Sequence, residues 1–187
     1  MALLQIAEPG VGPESNTQRK VAVGIDLGTT NSLIAHFDGA SLQVLQDGSG
    51  SPSLPSVVYF GASDVRIGQA AMAQASAEPA NTIASAKRML GRARGEFEDD
   101  PYVTLAPGDT LAFATAAGAK TPVEVAAAIL SALRERAEPQ LDAPISGAVI
   151  TVPAYFDDAQ RQATRQAAEL AGIKVRSEEH TSELQSP

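Results

Sequence analysis

The chain has 187 residues, of which 14 are basic and 22 are acidic, and its formal net charge at pH 7 is -8. This acidic balance excludes a protein that binds nucleic acids or anionic membranes through a general basic surface. The length suits one domain with a hydrophobic core, and the absence of cysteine excludes disulfides and thiolate metal sites. We therefore expect a cytoplasmic protein that acts without a nucleic acid or a membrane.

Residues 1–19 differ in composition from the rest of the chain. The segment AEPGVGPESNTQR (7–19) is rich in proline, glycine, serine and charged residues. It has too little apolar surface to offset the entropy of ordering it. We expect residues 1–19 to form a flexible tail.

From Lys20 onward the sequence predicts an antiparallel meander. Three runs rich in β-forming residues are separated by the turn GTTN and by a DG turn signal: VAVGID (21–26), SLIAHF (32–37) and SLQVL (41–45). The run SVVYF (56–60) predicts a further strand. Pro55 precedes it, and proline tends to stand at strand starts because it has no N–H to donate.

Residues 81–115 predict a short helix and then a hairpin. The segment NTIASAKRMLG (81–91) has a candidate N-cap at Asn81 or Thr82 and a terminating glycine at Gly91. The alternating runs of YVTLAPGDTLAFAT (102–115) on either side of PGD predict an excursion hairpin.

The next segment predicts a helix and a buried strand. In TPVE, Thr121 is the expected N-cap and Glu124 completes a capping box, so we predict a helix that carries the apolar residues from Val125 to Leu133. The mostly apolar run SGAVITVPA (146–154) predicts a strand buried on both faces.

A second helix and a strand opening complete the pattern. Asp157 or Asp158 caps AQRQATRQAAELAG, and Gly172 is the expected left-handed C-cap. The expected buried face of this helix consists of Ala159, Ala163, Ala167 and Leu170. Since IKV (173–175) then opens another strand, the whole order predicts an α/β lobe with a mixed sheet.

The first candidate site lies where the first strand turns into the second, at Asp26, Gly28, Thr29, Thr30 and Asn31. A glycine lets backbone N–H groups approach an anion, threonine hydroxyls add donors, and a carboxylate at a strand end can hold Mg²⁺ through water. These residues can therefore cradle a polyphosphate. The alternative is an ordinary turn in which Asp26 and Asn31 bond the turn backbone.

Three further residues have both a structural and a functional interpretation. Lys87 is either a solvated surface lysine or an ammonium that neutralises charge developing on a phosphoryl group. Pro153 and Arg161 are either a residue that stops a strand and a surface arginine, or a pair with a role that spacing alone does not define.

Three stretches together resemble one family: VGIDLGTTNS (23–32), NTIASAKRMLGR (81–92) and VITVPAYFDDAQRQAT (149–164). In this order and spacing they resemble the nucleotide-binding domain of Hsp70 chaperones, over residues 20–175. The opening MALLQIAEPG and the FDD before AQRQAT are similar to the HscA branch of that family, which serves iron–sulfur scaffold proteins.

The resemblance implies the first lobe of an actin-like ATPase, of the ribonuclease-H-like class, that uses ATP or ADP with Mg²⁺. It implies that Asp26 is a catalytic acid linked to Mg²⁺ through water, and that Lys87 orients the attacking water. The implied nucleotide-binding residues are Gly28, Thr29, Thr30 and Asn31. Pro153 and Arg161 match the family's relay between the nucleotide state and the peptide-binding domain.

The resemblance also implies partners. They are a J-domain co-chaperone of the HscB type and, as client, an iron–sulfur scaffold protein of the IscU type. Three alternatives stay open: a general, DnaK-like Hsp70, a sugar kinase of the actin fold, and a non-catalytic actin-like filament subunit.

The last segment, RSEEHTSELQSP (176–187), departs from the family pattern. It looks like a translated sequencing adapter, so we expect it to be non-native. The family continues instead into a second lobe with a catalytic glutamate and a second phosphate loop. Because phosphoryl transfer needs the complete set of groups, we expect the 187-residue chain to be inactive as an ATPase by itself.

Overall fold

The computed structural model describes residues 21–97 and 100–175. The expected flexible tail (1–19), Lys20 and the expected non-native segment (176–187) lie outside the described residues.

The described residues form eleven strands and three α-helices, joined in part by short 3₁₀ helices. The strands are β1 (Val21–Asp26), β2 (Asn31–Phe37), β3 (Leu42–Val44), β4 (Leu54–Pro55), β5 (Val57–Phe60), β6 (Val65–Ile67), β7 (Thr82–Ala84), β8 (Val103–Ala106), β9 (Thr110–Thr115), β10 (Gly118–Lys120) and β11 (Ile145–Thr151). The helices are α1 (Gln69–Met72), α2 (Pro122–Leu141) and α3 (Asp158–Leu170).

The central sheet has the order β11-β1-β2-β3, and β4 pairs with the start of β2. Strands β1 and β11 are parallel, whereas β1, β2 and β3 form the antiparallel meander that the sequence predicts. A parallel bridge between Ala148 and Val175 begins the further strand expected at IKV. The mixed α/β architecture is therefore confirmed.

The core lies on one face of this sheet. Alternate residues of β1 are buried, namely Val21, Val23 and Ile25, and they share a hydrophobic cluster with residues of α2 and α3. Helix α2 contributes Leu130 and Leu133, both 0% exposed. Since α2 and α3 also pack against each other, the two helices form a layer over the sheet.

The prediction that the 146–154 strand is buried on both faces is wrong. Ala148 pairs with Val23 and is buried with it, but Val149 pairs with Gly24 and is 38% exposed. Paired residues point to the same side of a sheet, so Val149 and Gly24 lie on the face opposite the core. The apolar run in β11 therefore marks one buried face, not two.

The predicted helix at 81–91 is also wrong. Its first residues form β7, in which Ile83 lies opposite Val58 of β5. Thr82 and Ile83 are β-branched and suit a strand, and pairing with β5 overrides the weak capping signal. Ser85 then takes a left-handed conformation, with φ 58°, and only a 3₁₀ helix, Ala86–Met89, follows.

Helix α2 begins as predicted. Thr121 and Glu124 form the capping box, with the Thr121 N–H donating to Glu124 Oε2 at 2.7 Å. The helix continues through Pro139 to Leu141, because a proline in the last turn removes only one of the final hydrogen bonds. Leu141 is buried, which favours the longer helix.

Helix α3 is capped by Asp157, whose Oδ1 accepts from the Gln160 N–H at 2.8 Å. Of the expected buried face, Ala163 and Ala167 are buried, but Ala159 is exposed and Leu170 is 64% exposed. The other buried residues are Gln160, Thr164 and Ala168. The buried face is thus rotated by about one residue. Gly172 has φ 71°, which confirms the expected left-handed residue after the helix.

Two small sheets flank the central one. Strands β8 and β9 form the predicted hairpin, with Gly108 and Asp109 at positive φ in its turn, and β10 adds a third strand that was not predicted. The other sheet has the order β6-β5-β7. Among the described residues, no helix is both long enough and apolar enough to cross a bilayer.

Two leucines test the position of the core. We expect Leu133→Ala to lower the free energy of unfolding by about 2–5 kcal/mol, because it leaves a cavity at a fully buried position. Urea denaturation of the 187-residue chain measures this. Leu170→Ala is the matched control, since Leu170 is 64% exposed and should change stability by less than about 0.5 kcal/mol. Equal losses for the two variants would contradict the packing described.

Candidate functional site

The first part of the site is the Gly28 turn, residues 27–30, which joins β1 to β2. Leu27 is 2% exposed and anchors the turn in the core. The Gly28 N–H donates to Ser32 Oγ at 3.1 Å, and the Gly28 carbonyl accepts from Ser56 Oγ at 2.8 Å. A Cβ at position 28 would collide with the Asn31 carbonyl oxygen, so the turn requires glycine there.

Two buried serines hydrogen-bond the backbone of this turn. Ser32 and Ser56 are 1% and 3% exposed, and their hydroxyl oxygens are 2.9 Å apart. The Ser56 N–H also donates to the Thr30 carbonyl at 2.8 Å. Sequence reasoning did not assign either serine a role, because no local pattern signals a contact between residues so far apart in the chain.

In the described residues, the side chains that bond the turn backbone are not those named in the ordinary-turn alternative. In the ordinary-turn alternative, Asp26 and Asn31 bond the turn backbone. Within the described part of the chain, Ser32 and Ser56 make those side-chain bonds. The Asp26 carboxylate instead accepts at Oδ1 from Thr151 Oγ1 at 2.9 Å. Asp26 and Thr151 are register partners at the carboxyl ends of two parallel strands, β1 and β11.

Lys87 interacts electrostatically with Asp26 although the two are distant in sequence. Burial lowers the pKa of the Lys87 ammonium below its ordinary value of 10.5, and the negative charge of Asp26 opposes this shift. Lys87 Nζ lies 5.5 Å from the centre of the Phe156 ring, within the range of a cation–π contact. The structure therefore brings the predicted lysine within electrostatic range of the predicted acid.

Phe156 links Lys87 to the other two predicted residues. Its N–H donates to the Pro153 carbonyl at 3.0 Å, and its carbonyl accepts from Arg161 Nε at 3.1 Å. The ring itself is buried, and Tyr155 meets it edge-on at 5.8 Å. Sequence reasoning missed Phe156. The only available signal was its position between Pro153 and Arg161 in the third family-like stretch.

The three residues that follow Gly28 are at least partly exposed. Thr29 is half-buried, whereas Thr30 and Asn31 are exposed. The site thus presents an acceptor carboxylate at Asp26, a cation at Lys87 and hydroxyl and amide groups on the turn. This combination suits an anionic ligand that carries a hard cation, because the ammonium and the donors meet the anion and the carboxylate meets the cation.

Comparison with known proteins defines the class. The family profile described as Hsp70 protein matches residues 22–177. The match covers most of the chain and includes every residue of the site, and the chain belongs to the Hsp70 family.

The similar curated proteins are named as one kind of Hsp70. "Chaperone protein HscA homolog" from Acidovorax ebreus (strain TPSY) is 52% identical over 182 residues, covering 94% of this chain and 29% of that protein. The protein of the same name from Burkholderia multivorans (strain ATCC 17616 / 249) is 53% identical over 179 residues, with the same coverage. The chain is thus similar to HscA homologues and spans 29% of their length.

Two glycines on the same segment test the geometry of the turn. We expect Gly28→Ala to destabilise the 187-residue chain by about 1–3 kcal/mol, because the new methyl group meets the Asn31 carbonyl. Gly24→Ala on β1 is the matched control, because a Cβ there has no atom within 4 Å. Urea denaturation gives the stabilities, and amide exchange at Gly28 reports the turn. A Gly28→Ala variant as stable as Gly24→Ala would show that the turn is not constrained as described.

Proposed function

We propose that this chain supplies the first nucleotide-binding lobe of an ATP-dependent molecular chaperone of the Hsp70/HscA type. The observation that carries the proposal is that Asp26 lies directly before the Gly28 turn and that the charge of Lys87 interacts with that of Asp26, in a member of the Hsp70 family. The fold is accordingly proposed to be the first lobe of an actin-like, ribonuclease-H-like ATPase.

ATP or ADP with Mg²⁺ fits the residues of this site. The exposed Asp26 carboxylate, oriented by Thr151, is a suitable acceptor for water bound to Mg²⁺. The backbone of Gly28 and the side chains of Thr29, Thr30 and Asn31 would contact the phosphates. When bound, Mg²⁺ supplies positive charge that neutralises the phosphate oxygens.

Lys87 has the features expected of a group that stabilises a transferring phosphoryl group. Its ammonium is partly buried and lies over the Phe156 ring, so its position is restricted before any ligand binds. A charge held ready in a partly dehydrated site acts more strongly on a developing negative charge than a solvated one. Lys87 would also orient the attacking water through its N–H groups. Asp26 completes the proposed catalytic pair.

Pro153 and Arg161 are proposed to relay the nucleotide state to the peptide-binding domain. Support comes from Phe156, which bonds both residues through its backbone and contacts Lys87 through its ring. A change at the γ-phosphate that moves Lys87 therefore has a direct route to the start of α3, where Arg161 lies.

The biological role proposed follows the names of the relatives. As an HscA-type chaperone, the protein would work in the cytoplasm with a J-domain co-chaperone of the HscB type, on an iron–sulfur scaffold of the IscU type. ATP binding and hydrolysis would open and close the grip on the client. Because the chain spans 29% of the relatives' length, this cycle is proposed for the complete protein and not for the 187-residue chain.

A chimera provides a direct test of the proposed function. In the chimeric chaperone, residues 21–175 of this chain replace the matched segment of the Acidovorax ebreus relative. ATP hydrolysis that the J-domain co-chaperone and the scaffold stimulate would support the proposal. A folded chimera that binds no ATP would refute it. The 187-residue chain alone should show no hydrolysis above the uncatalysed rate.

Lys87→Met in the chimeric chaperone should reduce the rate of ATP hydrolysis by about 100-fold or more, because a positioned charge is removed from the site. Thermal stability should change little, because relief of the burial that disfavours the ammonium offsets the loss of its contact with the Phe156 ring. Lys120→Met is the matched control: Lys120 also lies over a phenylalanine ring, that of Phe60 at 5.6 Å, but outside the site. Hydrolysis that is slowed equally by both substitutions would argue against a catalytic role.

Arg161→Ala in the chimeric chaperone should leave the affinity for ATP within about twofold. It should reduce the stimulation of hydrolysis by the scaffold and co-chaperone by about tenfold, which is within the usual range of coupling between sites. The reason is that Arg161 bonds the Phe156 carbonyl and is not among the residues proposed to contact the nucleotide. Arg165→Ala is the control on the same helix, because among the described residues the Arg165 side chain bonds only the exposed side chain of Gln162. Unchanged stimulation in Arg161→Ala would exclude the relay.

A further inference from the structure

Arg136 on α2 binds the loop of residues 45–53, which connects β3 to β4. Its guanidinium lies near four backbone carbonyls of this loop. They are those of Leu45, Ser51 and Pro52, at 3.5, 3.4 and 3.2 Å from Nη1, and that of Ser53, at 3.4 Å from Nη2. A guanidinium has five N–H donors in a fixed plane, so one side chain can satisfy several carbonyls together.

The 45–53 loop is ordered locally by Asp47. Its Oδ1 accepts from the Ser49 N–H, the Ser49 hydroxyl and the Ser51 N–H, at 2.9, 2.6 and 2.9 Å. These bonds shape the loop but do not attach it to the rest of the protein. The attachments to α2 are made by Arg136 and by Gln140, whose Nε2 donates to the Gln46 carbonyl at 2.9 Å.

A large cavity makes these attachments important. A space of about 940 Å³ lies beside the loop and is lined by Asn31, Gln69, Glu135 and Arg136, together with loop residues. Leu45 is buried and donates its N–H to the Ile34 carbonyl of β2 at 2.9 Å, but the rest of the loop borders this space. Hydrogen bonds from Arg136 and Gln140 of α2 hold that part of the loop.

The loop leads directly to the residues that hold the Gly28 turn. Ser53 is followed by β4, which pairs with Asn31 and Ser32. Ser56 comes next, and its hydroxyl and N–H bond the carbonyls of Gly28 and Thr30. A continuous set of bonds thus runs from Arg136, through the loop and β4, to the backbone of the turn.

We propose that Arg136 is a positioning residue for the phosphate-binding geometry of the Gly28 turn. The proposal rests on the proposed function of that turn. Arg136 does not touch the nucleotide. It fixes the loop, and the loop fixes the side of the turn opposite the ligand. Without it, Ser56 and β4 shift with the loop, and the turn presents its N–H and hydroxyl donors to the phosphates less well.

The test is nucleotide affinity in the chimeric chaperone, measured by calorimetry for ATP and ADP and by competition for AMP. Arg136→Ala should lower the affinity for ATP and for ADP by about three- to tenfold. The affinity for AMP should stay within twofold, because AMP lacks the phosphates that the turn is proposed to contact. Arg136→Lys should restore part of the loss. Arg134→Ala, the control on the same helix, should change none of the three, because Arg134 bonds the Ala171 carbonyl at 2.6 Å.

Each contrary result overturns the proposal. Unchanged ATP and ADP affinities in Arg136→Ala would exclude positioning. An equal loss for AMP, or the same loss in Arg134→Ala, would indicate general destabilisation. If the unsubstituted chimera binds no nucleotide, the proposed function fails. Amide exchange in the 187-residue chain then tests whether Arg136 positions the Gly28 turn. Arg136→Ala should then speed exchange at Gly28 and Ser56 but not at Ala171, and uniform or unchanged exchange would refute positioning.

Discussion

The hydrogen bond from the Ser56 hydroxyl to the Gly28 carbonyl is the interaction on which the candidate site depends. It joins the segment before β5 to the turn after β1, and so connects the small β6-β5-β7 sheet to the central sheet. Both Ser56 and Ser32 are almost completely buried, where a hydroxyl without a partner would cost roughly 1–3 kcal/mol. Their mutual bonds remove that cost and leave the outer side of the turn available for a ligand.

Strand β5 also positions Lys87 relative to the Gly28 turn. Its first residue, Val57, follows Ser56 and pairs with Ala84 at the end of β7. The chain then turns at Ser85 and reaches Lys87. One short strand therefore sets the distance between the Gly28 turn and the lysine. Had the segment 81–91 formed the predicted helix, this pairing would be absent and Lys87 would not be fixed relative to Asp26.

Local signals predicted much of the fold. The meander, the hairpin, and the caps at Thr121 and Asp157 depend on neighbours within a few residues, and the structure confirms them. The strand at Thr82–Ala84 and the single buried face of β11 depend on what packs against each segment. A single sequence does not contain that information in its local pattern, so propensity and apolar runs gave the wrong answer.

The residues of the candidate site also divide into those that a local sequence pattern identifies and those whose position depends on the fold. The residues of the Gly28 turn adjoin one another in sequence and were identified as one group. Lys87, Pro153 and Arg161 had no physical signal beyond the family resemblance. The residues that connect them, Ser56, Thr151 and Phe156, were missed because their roles arise from contacts across the fold.

The contact between Phe156 and Lys87 indicates how much free energy the proposed relay could involve. Its ring contact with Lys87 is of the cation–π type, worth about 0.5–2 kcal/mol depending on solvation. Its backbone leads directly into Asp157, which caps α3, so the ring is attached one residue before the helix start. Coupling between sites amounts to about 1–3 kcal/mol. The contact that the proposed relay would break is therefore of the same order of energy as coupling between sites.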